Sequence, residues 1–297
     1  IRFCSKGREK MIIKAPASTA NLGPGFDSLG MAVSLYLEVE VLSLADRFQV
    51  DHVMKGIPHD EKNLIVKTAL TVYPGLPPLH LRVKSNIPLA HGLGSSSSAI
   101  AAGIELANQI GKLGLSDEEK VQLGAKIEGH PDNIAPTILG GLVVGAEVNH
   151  HFDAVEAPLP PYALVAYVPD YNLETKTARA VLPKELAFGV ATHGSAVANT
   201  LIASLFAQDY PKAGELMEQD VFHEVYREKL VPELVKVREV AHSKHALATY
   251  LSGAGSTIMT WIEDKHVAGF LSGLRKHDLK DETLILHPDE HGVQIIQ

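Results

Sequence analysis

The sequence predicts an α/β or α+β fold with two domains, and three patterns along the chain support this prediction. Runs with the alternating polarity of strands are interspersed with longer runs that have the apolar spacing of helices. A glycine-rich loop joins one such strand to one such helix. Three prolines, Pro158, Pro160 and Pro161, mark the clearest boundary in the chain. We therefore expect an N-terminal domain over 11–160 and a C-terminal domain over 161–297.

The elements of the first domain each have a local signal. We expect strands over 11–15, 33–44, 79–85 and 142–147, and helices over 63–72, from the glycine-rich loop to about 110, and over 118–127. The run 79–85 alternates apolar residues with basic and histidine residues, as a half-buried strand does. Pro74 and Gly75 stop the first helix, and Ser116 with Glu119 forms a capping pattern before the last.

The elements of the second domain follow the proline cluster. We expect strands over 162–168, 246–252, 257–262 and 282–287, and helices over 175–182, 190–206, around 213–219, and over 267–274. Pro183 ends the first of these helices, and the glycines of a turn around 253–255 separate two of the strands.

Composition narrows the class of protein. The chain has 297 residues, 45% of them hydrophobic and 21% charged, which suits a globular α/β-type enzyme with a substantial core. Its net charge of −8 argues against a nucleic-acid-binding protein. An anionic substrate would therefore have to be bound by local positive groups, because the overall field of the protein would not attract it.

Several features concern location. The single cysteine, Cys4, excludes an internal disulfide and a multi-cysteine metal site, which fits a cytoplasmic protein. No apolar run reaches the roughly 18–20 residues needed to cross a membrane. Residues 1–10 are charged and have no apolar centre, so we expect them to be a leader or an appended extension and not a signal peptide.

The glycine-rich loop over 88–98 carries the strongest chemical signal. Gly92 and Gly94 allow backbone N–H groups to approach a ligand closely, and the serines after them open a helix whose first N–H groups favour an anion. Such a loop suits phosphate. It contains no lysine, so the charge of a triphosphate would have to be met by a metal ion. A serine-rich turn with a well-capped helix is the structural alternative.

Two further clusters place polar groups on irregular segments. In the segment 16–27, Asn21 and Asp27 lie on a loop fixed by two glycines and a proline, which could bind a ligand or simply form a turn. In the segment 128–133, Glu128 could share a hard cation with a serine and with phosphate oxygens. The alternative for this segment is an ordinary helix end, with Gly129 at the stop.

Together these clusters resemble the motifs of the GHMP kinases, a family of small-molecule kinases. The segment 16–27 reads Pro-Ala-Ser-Thr-Ala-Asn-Leu-Gly-Pro-Gly-Phe-Asp, and 128–133 reads Glu-Gly-His-Pro-Asp-Asn. A later glycine-rich run, Ser-Gly-Ala-Gly-Ser over 252–256, resembles the third motif of the family. The resemblance runs from residue 11 to the C-terminus and is closest to the members that phosphorylate homoserine.

The resemblance implies a fold and an activity. It implies the two-domain α+β fold of this family, with the nucleotide site at the glycine-rich loop and helix N-terminus, between the domains. It implies phosphorylation of the L-homoserine hydroxyl by ATP with Mg²⁺, giving O-phospho-L-homoserine and ADP, a step of threonine biosynthesis. It also suggests a homodimer.

The resemblance further implies roles for individual residues. Substrate would contact Asn21, Asp27, His130, Asp132, Thr175, Arg179, Arg227 and Gly253. Nucleotide would contact Asn63, Pro88, Leu89, Ala90, His91, Gly92, Leu93, Gly94, Ser95, Ser96, Ser97 and Ser98. Magnesium would be bound by Glu128 and a loop serine, for which we choose Ser96. The two arginines would clamp the substrate carboxylate, because a guanidinium fork donates two parallel hydrogen bonds.

The sequence offers no clear equivalent of the aspartate–lysine pair that some family members place at the reacting hydroxyl. We therefore expect phosphoryl transfer without a dedicated side-chain base, since positioning and electrostatics carry most of this reaction. Two alternatives remain: a GHMP kinase for a mevalonate-type alcohol, and a non-catalytic binding protein on the same fold.

Overall fold

The computed structural model describes residues 11–296. Residues 1–10, expected to be a leader or an appended extension, lie outside the described residues. The strands are β1 Ile12–Ala20, β2 Leu29–Leu44, β3 Gln49–Asp51, β4 Leu79–Ser85, β5 Leu142–Val148, β6 His151–Ala157, β7 Ala163–Val168, β8 Ala248–Leu251, β9 Ile258–Ile262, β10 Glu282–Leu286 and β11 Gln294–Ile296. The α-helices are α1 Leu64–Val72, α2 Ser95–Gly111, α3 Asp117–Glu128, α4 Ile134–Leu139, α5 Thr175–Ala180, α6 Phe188–Phe206, α7 Tyr210–Met217, α8 Glu224–Arg227, α9 Glu233–His242 and α10 Asp264–Lys276.

The strands form two sheets. The first has seven strands in the order β11-β1-β2-β4-β3, with β5 paired to β2 and β6 to β5. The second has four strands in the order β10-β7-β9-β8. Every pairing is antiparallel except β3 with β4, and the helices are interspersed along the chain, so the α+β class is confirmed.

The long strand β2 makes the first sheet possible because it pairs with three partners along its 16 residues. Its start pairs with β5, its far half with β4, and β1 runs along its other edge. The pairing with β1 shifts between Pro16 and Ala17, as expected where a proline interrupts a ladder. This irregularity lets β1 continue to Ala20, five residues beyond the predicted end, into the segment that carries Asn21.

Helix α2 is the central helix of the first domain. More than half of its residues are Ser, Ala or Gly, and most of its residues are buried, so it packs closely against α1 and β1. A methyl group at Gly103 would lie 2.6 Å from the carbonyl oxygen of Ile65 on α1, which explains the glycine there. Helix α3 begins with the predicted capping box between Ser116 and Glu119.

The predicted boundary falls between β6 and β7, where the chain leaves the first sheet for the second. Strand β11 departs from the predicted domains, because it pairs with β1 and returns to the first sheet. The predicted unit 161–297 therefore does not keep its last strand. The two sheets also share one apolar core, in which Met31 of β2 and Trp261 of β9 belong to the same cluster. Across residues 11–296, the helices are all too short or too polar to span a membrane.

Candidate active site

A cavity of about 410 Å³ lies where the segments 16–27, 88–98, 128–133 and 252–256 meet. Its lining comes from the segment after β1, the glycine-rich loop, the end of α3, the helices α5 and α8, and the turn after β8. The predicted site residues that line it are Asn21, Asp27, Pro88, Ala90, His91, Gly92, Leu93, Gly94, Ser95, Ser96, Ser97, Glu128, His130, Asp132, Thr175, Arg179, Arg227 and Gly253. Residues from both halves of the chain therefore share one cleft.

The glycine-rich loop is held by its carbonyl groups. Four consecutive carbonyls each accept a hydrogen bond from a distant segment: Ala90 from the Leu173 N–H (3.1 Å), His91 from the Thr257 N–H (3.1 Å), Gly92 from the Ser252 hydroxyl (2.6 Å) and Leu93 from the Ser18 N–H (3.3 Å). Three of these donors lie in the second half of the chain and one lies in β1. The loop is thus tied down on its carbonyl side by both halves of the molecule.

This arrangement orients the N–H groups of the loop. In a planar trans peptide the N–H points opposite to the carbonyl that precedes it. The N–H groups from His91 to Gly94 therefore face away from the segments that bind the carbonyls. Among the described residues, the N–H groups from His91 to Ser97 have no hydrogen-bond acceptor. A row of unpartnered donors at the start of a 17-residue helix is suited to an anion.

The two glycines of the loop are required by close packing. Gly92 and Gly94 have φ angles of +75° and +66°. A Cβ atom on Gly92 would lie 2.2 Å from the Ser252 carbonyl oxygen, and one on Gly94 would lie 2.0 Å from the Ser18 hydroxyl oxygen. The segments 16–27 and 252–256 thus pack against the loop on two sides, and only glycine fits at these two positions.

Glu128, at the C-terminal end of α3, has one oxygen bonded and one buried without a partner. The Ser97 hydroxyl donates to its Oε1 at 2.5 Å. In the described part of the chain its buried Oε2 has no hydrogen-bond partner. Burial raises the pKa of this carboxyl group to about 7, and nearby Asp132 adds to the rise, although the Ser97 bond and His130 lower it. Such a carboxylate gains from a cation.

The serine that bonds to Glu128 is not the one chosen from the sequence. Ser96 is exposed, whereas the Ser97 side chain is buried and bonded to the carboxylate. Serines one position apart on a helix point about 100° away from each other, so only one of them faces α3. The sequence spacing could not determine which one.

At the other end of the cavity, charged side chains are paired with one another. Arg179 donates two hydrogen bonds to Asp27, at 2.6 and 3.0 Å, in the parallel geometry expected of a guanidinium and a carboxylate. The bond to Asp27 raises the pKa of Arg179 further. Asp27 itself has a φ of +56°, and its N–H donates to the side chain of Asn21. Asn21 in turn donates to the Gly253 carbonyl at 3.0 Å, which joins the first motif to the third.

Arg227 lies beneath Arg179 and is almost fully buried. Its guanidinium donates to the carbonyls of Ala178 (3.2 Å) and Gly253 (2.9 Å) and to the Nδ1 of His223 (3.2 Å). None of these partners carries a negative charge in this arrangement. Burial, together with the neighbouring Arg179, lowers the pKa of Arg227 to about 10. The site therefore holds a cation that lacks a bonded carboxylate and faces the cavity.

His130 and Asp132 form a second pair at this end. The Nδ1 of His130 is hydrogen-bonded to the buried carboxylate of Asp132. Burial disfavours the charged imidazolium, but the bond and charge of Asp132 outweigh it and raise the pKa of His130. One ligand atom each of Asp27, His130 and Asp132 lies within 4.8 Å of the others. These three side chains therefore present a compact polar surface.

Three predicted residues do not line the cavity, namely Asn63, Leu89 and Ser98. The Asn63 side chain caps α1 by accepting from the Ile65 N–H, and it also donates to the Pro58 carbonyl. Ser98 is buried and donates to the carbonyl of Pro16.

The structure also brings to the cavity residues that the sequence motifs do not single out. Phe26 lines it, and the guanidinium groups of Arg179 and Arg227 lie 5.5 and 5.3 Å from its ring centre. Its position beside Asp27 in the first motif is the signal that could have indicated it. Ser18 and Ser252 hold the loop without lining the cavity, Ser18 through its backbone N–H and Ser252 through its hydroxyl. Such long-range bonds to loop carbonyls leave no signal in a single sequence.

Comparison with known proteins agrees with these features. The model of the GHMP kinases N terminal domain matches residues 63–141, and that of the GHMP kinases C terminal region matches 201–277. A homoserine kinase of Lactobacillus acidophilus is 82% identical over 97% of this chain and 100% of its own length. The chain belongs to the homoserine kinases of the GHMP kinase family. The predicted family is thereby confirmed.

Two other homoserine kinases extend the comparison. The one from Limosilactobacillus fermentum is 57% identical over 96% of this chain and 100% of its own. The crystal structure of a homoserine kinase from Cytophaga hutchinsonii covers 100% of both chains with a TM-score of 0.86 and 26% identity. Within residues 11–296, the fold of the homoserine kinase family therefore includes the region between the two matched models.

Proposed function

We propose that this protein is an ATP-dependent kinase that transfers the γ-phosphoryl group to the side-chain hydroxyl of L-homoserine, giving O-phospho-L-homoserine and ADP. One observation carries most weight: a row of unpartnered backbone N–H groups and a buried carboxylate lie at one end of a cavity whose other end holds paired charges. The first end suits a nucleotide phosphate, and the second suits a zwitterion. Membership of the homoserine kinase family supports the same assignment.

The triphosphate would bind over residues 91–97. Its oxygens would accept hydrogen bonds from the loop N–H groups and would lie at the positive end of the α2 dipole. These donors are held in place before the ligand arrives, because the loop carbonyls are already bonded elsewhere. Preorganised dipoles of this kind stabilise developing charge without first having to rotate.

The residues around Glu128 fit a magnesium ion. The buried Oε2 of Glu128 has no partner in the described chain, and a carboxylate, a serine hydroxyl and phosphate oxygens are the hard ligands that Mg²⁺ prefers. Glu128 would bind the ion, and Ser97 fits as the serine beside it better than Ser96. The ion would neutralise part of the triphosphate charge in a loop that has no lysine.

Homoserine would bind at the charged end. Its carboxylate would face Arg179 and Arg227, and its ammonium group would face Asp27 and Asp132, with Asn21, His130, Thr175 and Gly253 around it. The Arg179–Asp27 pair would exchange its internal bonds for bonds to the two ends of the zwitterion. A mevalonate-type alcohol carries a carboxylate but no ammonium group, so it would leave these carboxylates without a cationic partner.

The transfer would proceed without a dedicated side-chain base. Asp27 would face the ammonium group of the bound homoserine, so its carboxylate would not be directed at the hydroxyl. The remaining requirement is in-line approach of the hydroxyl to the phosphorus. The proton would leave through a phosphate oxygen or water. Turnover that is lost in Asp132→Asn while both substrates still bind would contradict this part of the proposal.

A coupled assay of ADP release tests the proposed reaction. We expect Mg²⁺-dependent ADP formation with L-homoserine and none above background with mevalonate. Activity with mevalonate alone would point to the alternative kinase, and ATP binding with no turnover on either alcohol would point to a binding protein. The proposal has two further parts. A homodimer rests on the family resemblance, and light scattering of the purified protein tests it; a cytoplasmic location rests on the single cysteine.

A further inference from the structure

Four buried side chains link the core of the protein to the glycine-rich loop. The indole N–H of Trp261 donates to the hydroxyl of Tyr250 at 3.3 Å. Tyr250 is bonded to the hydroxyl of Thr19 at 3.2 Å, and Thr19 to that of Ser252 at 2.8 Å. Ser252 then reaches the carbonyl of Gly92 at 2.6 Å. All four side chains are fully buried, so no solvent competes for the bonds among them.

The direction of every bond in this series is fixed. The Gly92 carbonyl can only accept, so the single proton of the Ser252 hydroxyl is used there. Ser252 must therefore accept from Thr19, and Thr19 must in turn accept from Tyr250. Trp261 can only donate, which is consistent with the other end. We call these four side chains the hydroxyl relay, meaning a series of donors that all point towards the loop.

The hydroxyl relay acts on the part of the loop that carries the unpartnered N–H groups. The Gly92 carbonyl belongs to the same planar peptide as the Leu93 N–H, so fixing the carbonyl also fixes the direction of that N–H. Hydrogen bonds arranged in series polarise one another, which strengthens the last bond beyond that of an isolated hydroxyl. A change at Thr19, which does not touch the loop, should therefore alter the loop.

We propose that Thr19, Tyr250 and Ser252 are positioning residues that hold the glycine-rich loop in its phosphate-binding geometry. This inference rests on the proposed binding of ATP by that loop. It assigns a role to three residues outside the predicted site, and it connects β1, β8 and β9 to the nucleotide end of the cavity. None of the four relay side chains bonds to a charged side chain of the homoserine end.

Trp261 gives the relay an optical signal. It is the single tryptophan of the chain, it is fully buried, and its N–H donates into the relay. A nucleotide that binds the loop should shift the Gly92–Leu93 peptide. This shift should alter the hydrogen bonds of the three hydroxyl groups and thereby the environment of Trp261. The fluorescence of the native protein therefore reports on the relay without a label.

The experiment compares two substitutions of the same kind. Thr19→Val removes a hydroxyl from the relay, and Thr260→Val removes one from a buried pair with Thr249, at 3.1 Å, that has no connection to the loop. Trp261 follows Thr260 on β9, so the control hydroxyl lies on the opposite face of the strand. Thermal unfolding measures how much each variant loses in stability.

We expect both variants to unfold at similarly lowered temperatures. Thr19→Val should weaken the binding of Mg·ADP about tenfold, should lose the nucleotide-dependent change in Trp261 fluorescence, and should keep the KM for homoserine within twofold. Thr260→Val should retain the affinity for Mg·ADP, the nucleotide-dependent fluorescence change and the KM for homoserine. Thr19→Ser should restore nucleotide binding, because it returns the hydroxyl. If Thr19→Val fails to fold, Ser252→Ala is expected to give the same loss of nucleotide affinity.

Two results would overturn the inference. Equal nucleotide affinity in Thr19→Val and Thr260→Val would show that the relay only stabilises the fold. Equal changes in the KM values for ATP and homoserine in Thr19→Val would show that the substitution disturbs the whole site. Failure of the proposed function is distinguishable from both. In that case the unsubstituted protein itself would not bind Mg·ADP.

Discussion

The two ends of the cavity present charge to a ligand in different ways. The loop end, formed by residues 90–97 and Glu128, offers unpartnered backbone N–H groups, and the carbonyls of residues 90–93 are already bonded elsewhere. The charged end, formed by Asp27, His130, Asp132, Arg179 and Arg227, offers side chains bonded mostly to one another or to carbonyls. The N–H groups of the loop end have no hydrogen-bond partner before a ligand binds. At the charged end, a ligand must replace the existing partners of the side chains.

This difference explains why the two ends suit different substrates. A triphosphate brings several negative charges, and the loop end opposes them with fixed dipoles and, through Glu128, with a divalent cation. A zwitterion brings one charge of each sign, and the charged end can exchange one internal ion pair for two external ones. Substitutions at one end should therefore affect one substrate and spare the other, and the following predictions test that separation in order of expected effect.

The largest effect is expected for Glu128→Gln. Loss of the carboxylate that fits magnesium should lower kcat by about 10³-fold, comparable with the loss of one key electrostatic group in other enzymes. Homoserine binding should change little, because the charged end is intact. The control is Glu118→Gln on the exposed face of the same helix, for which we expect less than a twofold change. Steady-state ADP release at saturating substrates measures both.

The next effect is expected for Arg227→Lys. Lysine keeps a charge but cannot reproduce the guanidinium fork, so the KM for homoserine should rise about 100-fold while the affinity for ATP stays within threefold. Arg238→Lys is the control, since Arg238 bonds to Glu224 and the Thr249 carbonyl outside the cavity. An equal rise in both KM values for Arg227→Lys would contradict the separation of the two ends.

A smaller effect distinguishes Ser97 from Ser96. Ser97→Ala removes the hydroxyl that bonds to Glu128 and should weaken the apparent affinity for Mg²⁺ about 30-fold. Ser96→Ala, at the exposed neighbouring position, should have less than a threefold effect. Magnesium titrations of ADP release separate the two. The reverse ranking would restore the choice made from the sequence.

The smallest effect concerns pH. A folded-state pKa of about 7 means that Glu128 is mostly protonated below this value and ionised above it. The apparent affinity for Mg²⁺ should therefore be about tenfold weaker at pH 6 than at pH 8. Without the ion, a higher pH instead lowers the free energy of unfolding. The pKa of Glu128 is 4.5 in the unfolded chain and about 7 in the folded protein, so stability falls as pH rises between these two values. Glu128→Gln should lack both dependences in titrations and in urea unfolding.

The sequence alone led to the family, the α+β class and most of the cavity lining. These inferences succeeded where a motif is contiguous, as in the loop around Gly92 or the strand β4, whose bounds match the expected 79–85. The sequence analysis did not predict the helices α4, α8 and α9 or the strands β3, β6 and β11. The shortest of these elements form through tertiary pairing more than through local preference. Strand β11, for instance, is three residues long and depends on β1.

The hydrogen-bond partners of individual side chains could not be predicted from the sequence, and the reason is physical. The choice between Ser96 and Ser97 depends on the rotation of α2 relative to α3, and that rotation is set by packing of the whole core. The family resemblance implies a nucleotide contact for Asn63, whereas its side chain caps helix α1. The pairing of Arg179 with Asp27 joins residues 152 positions apart, and a single sequence contains no signal of such pairs.

The most direct test of the central claim is a crystal structure with a non-hydrolysable ATP analogue and Mg²⁺. We expect phosphate oxygens about 2.7–3.2 Å from the backbone nitrogens of residues 91–97, with the metal on Oε2 of Glu128. Phosphates bound elsewhere in the cavity, with those N–H groups facing water and Glu128 free of metal, would contradict this expectation.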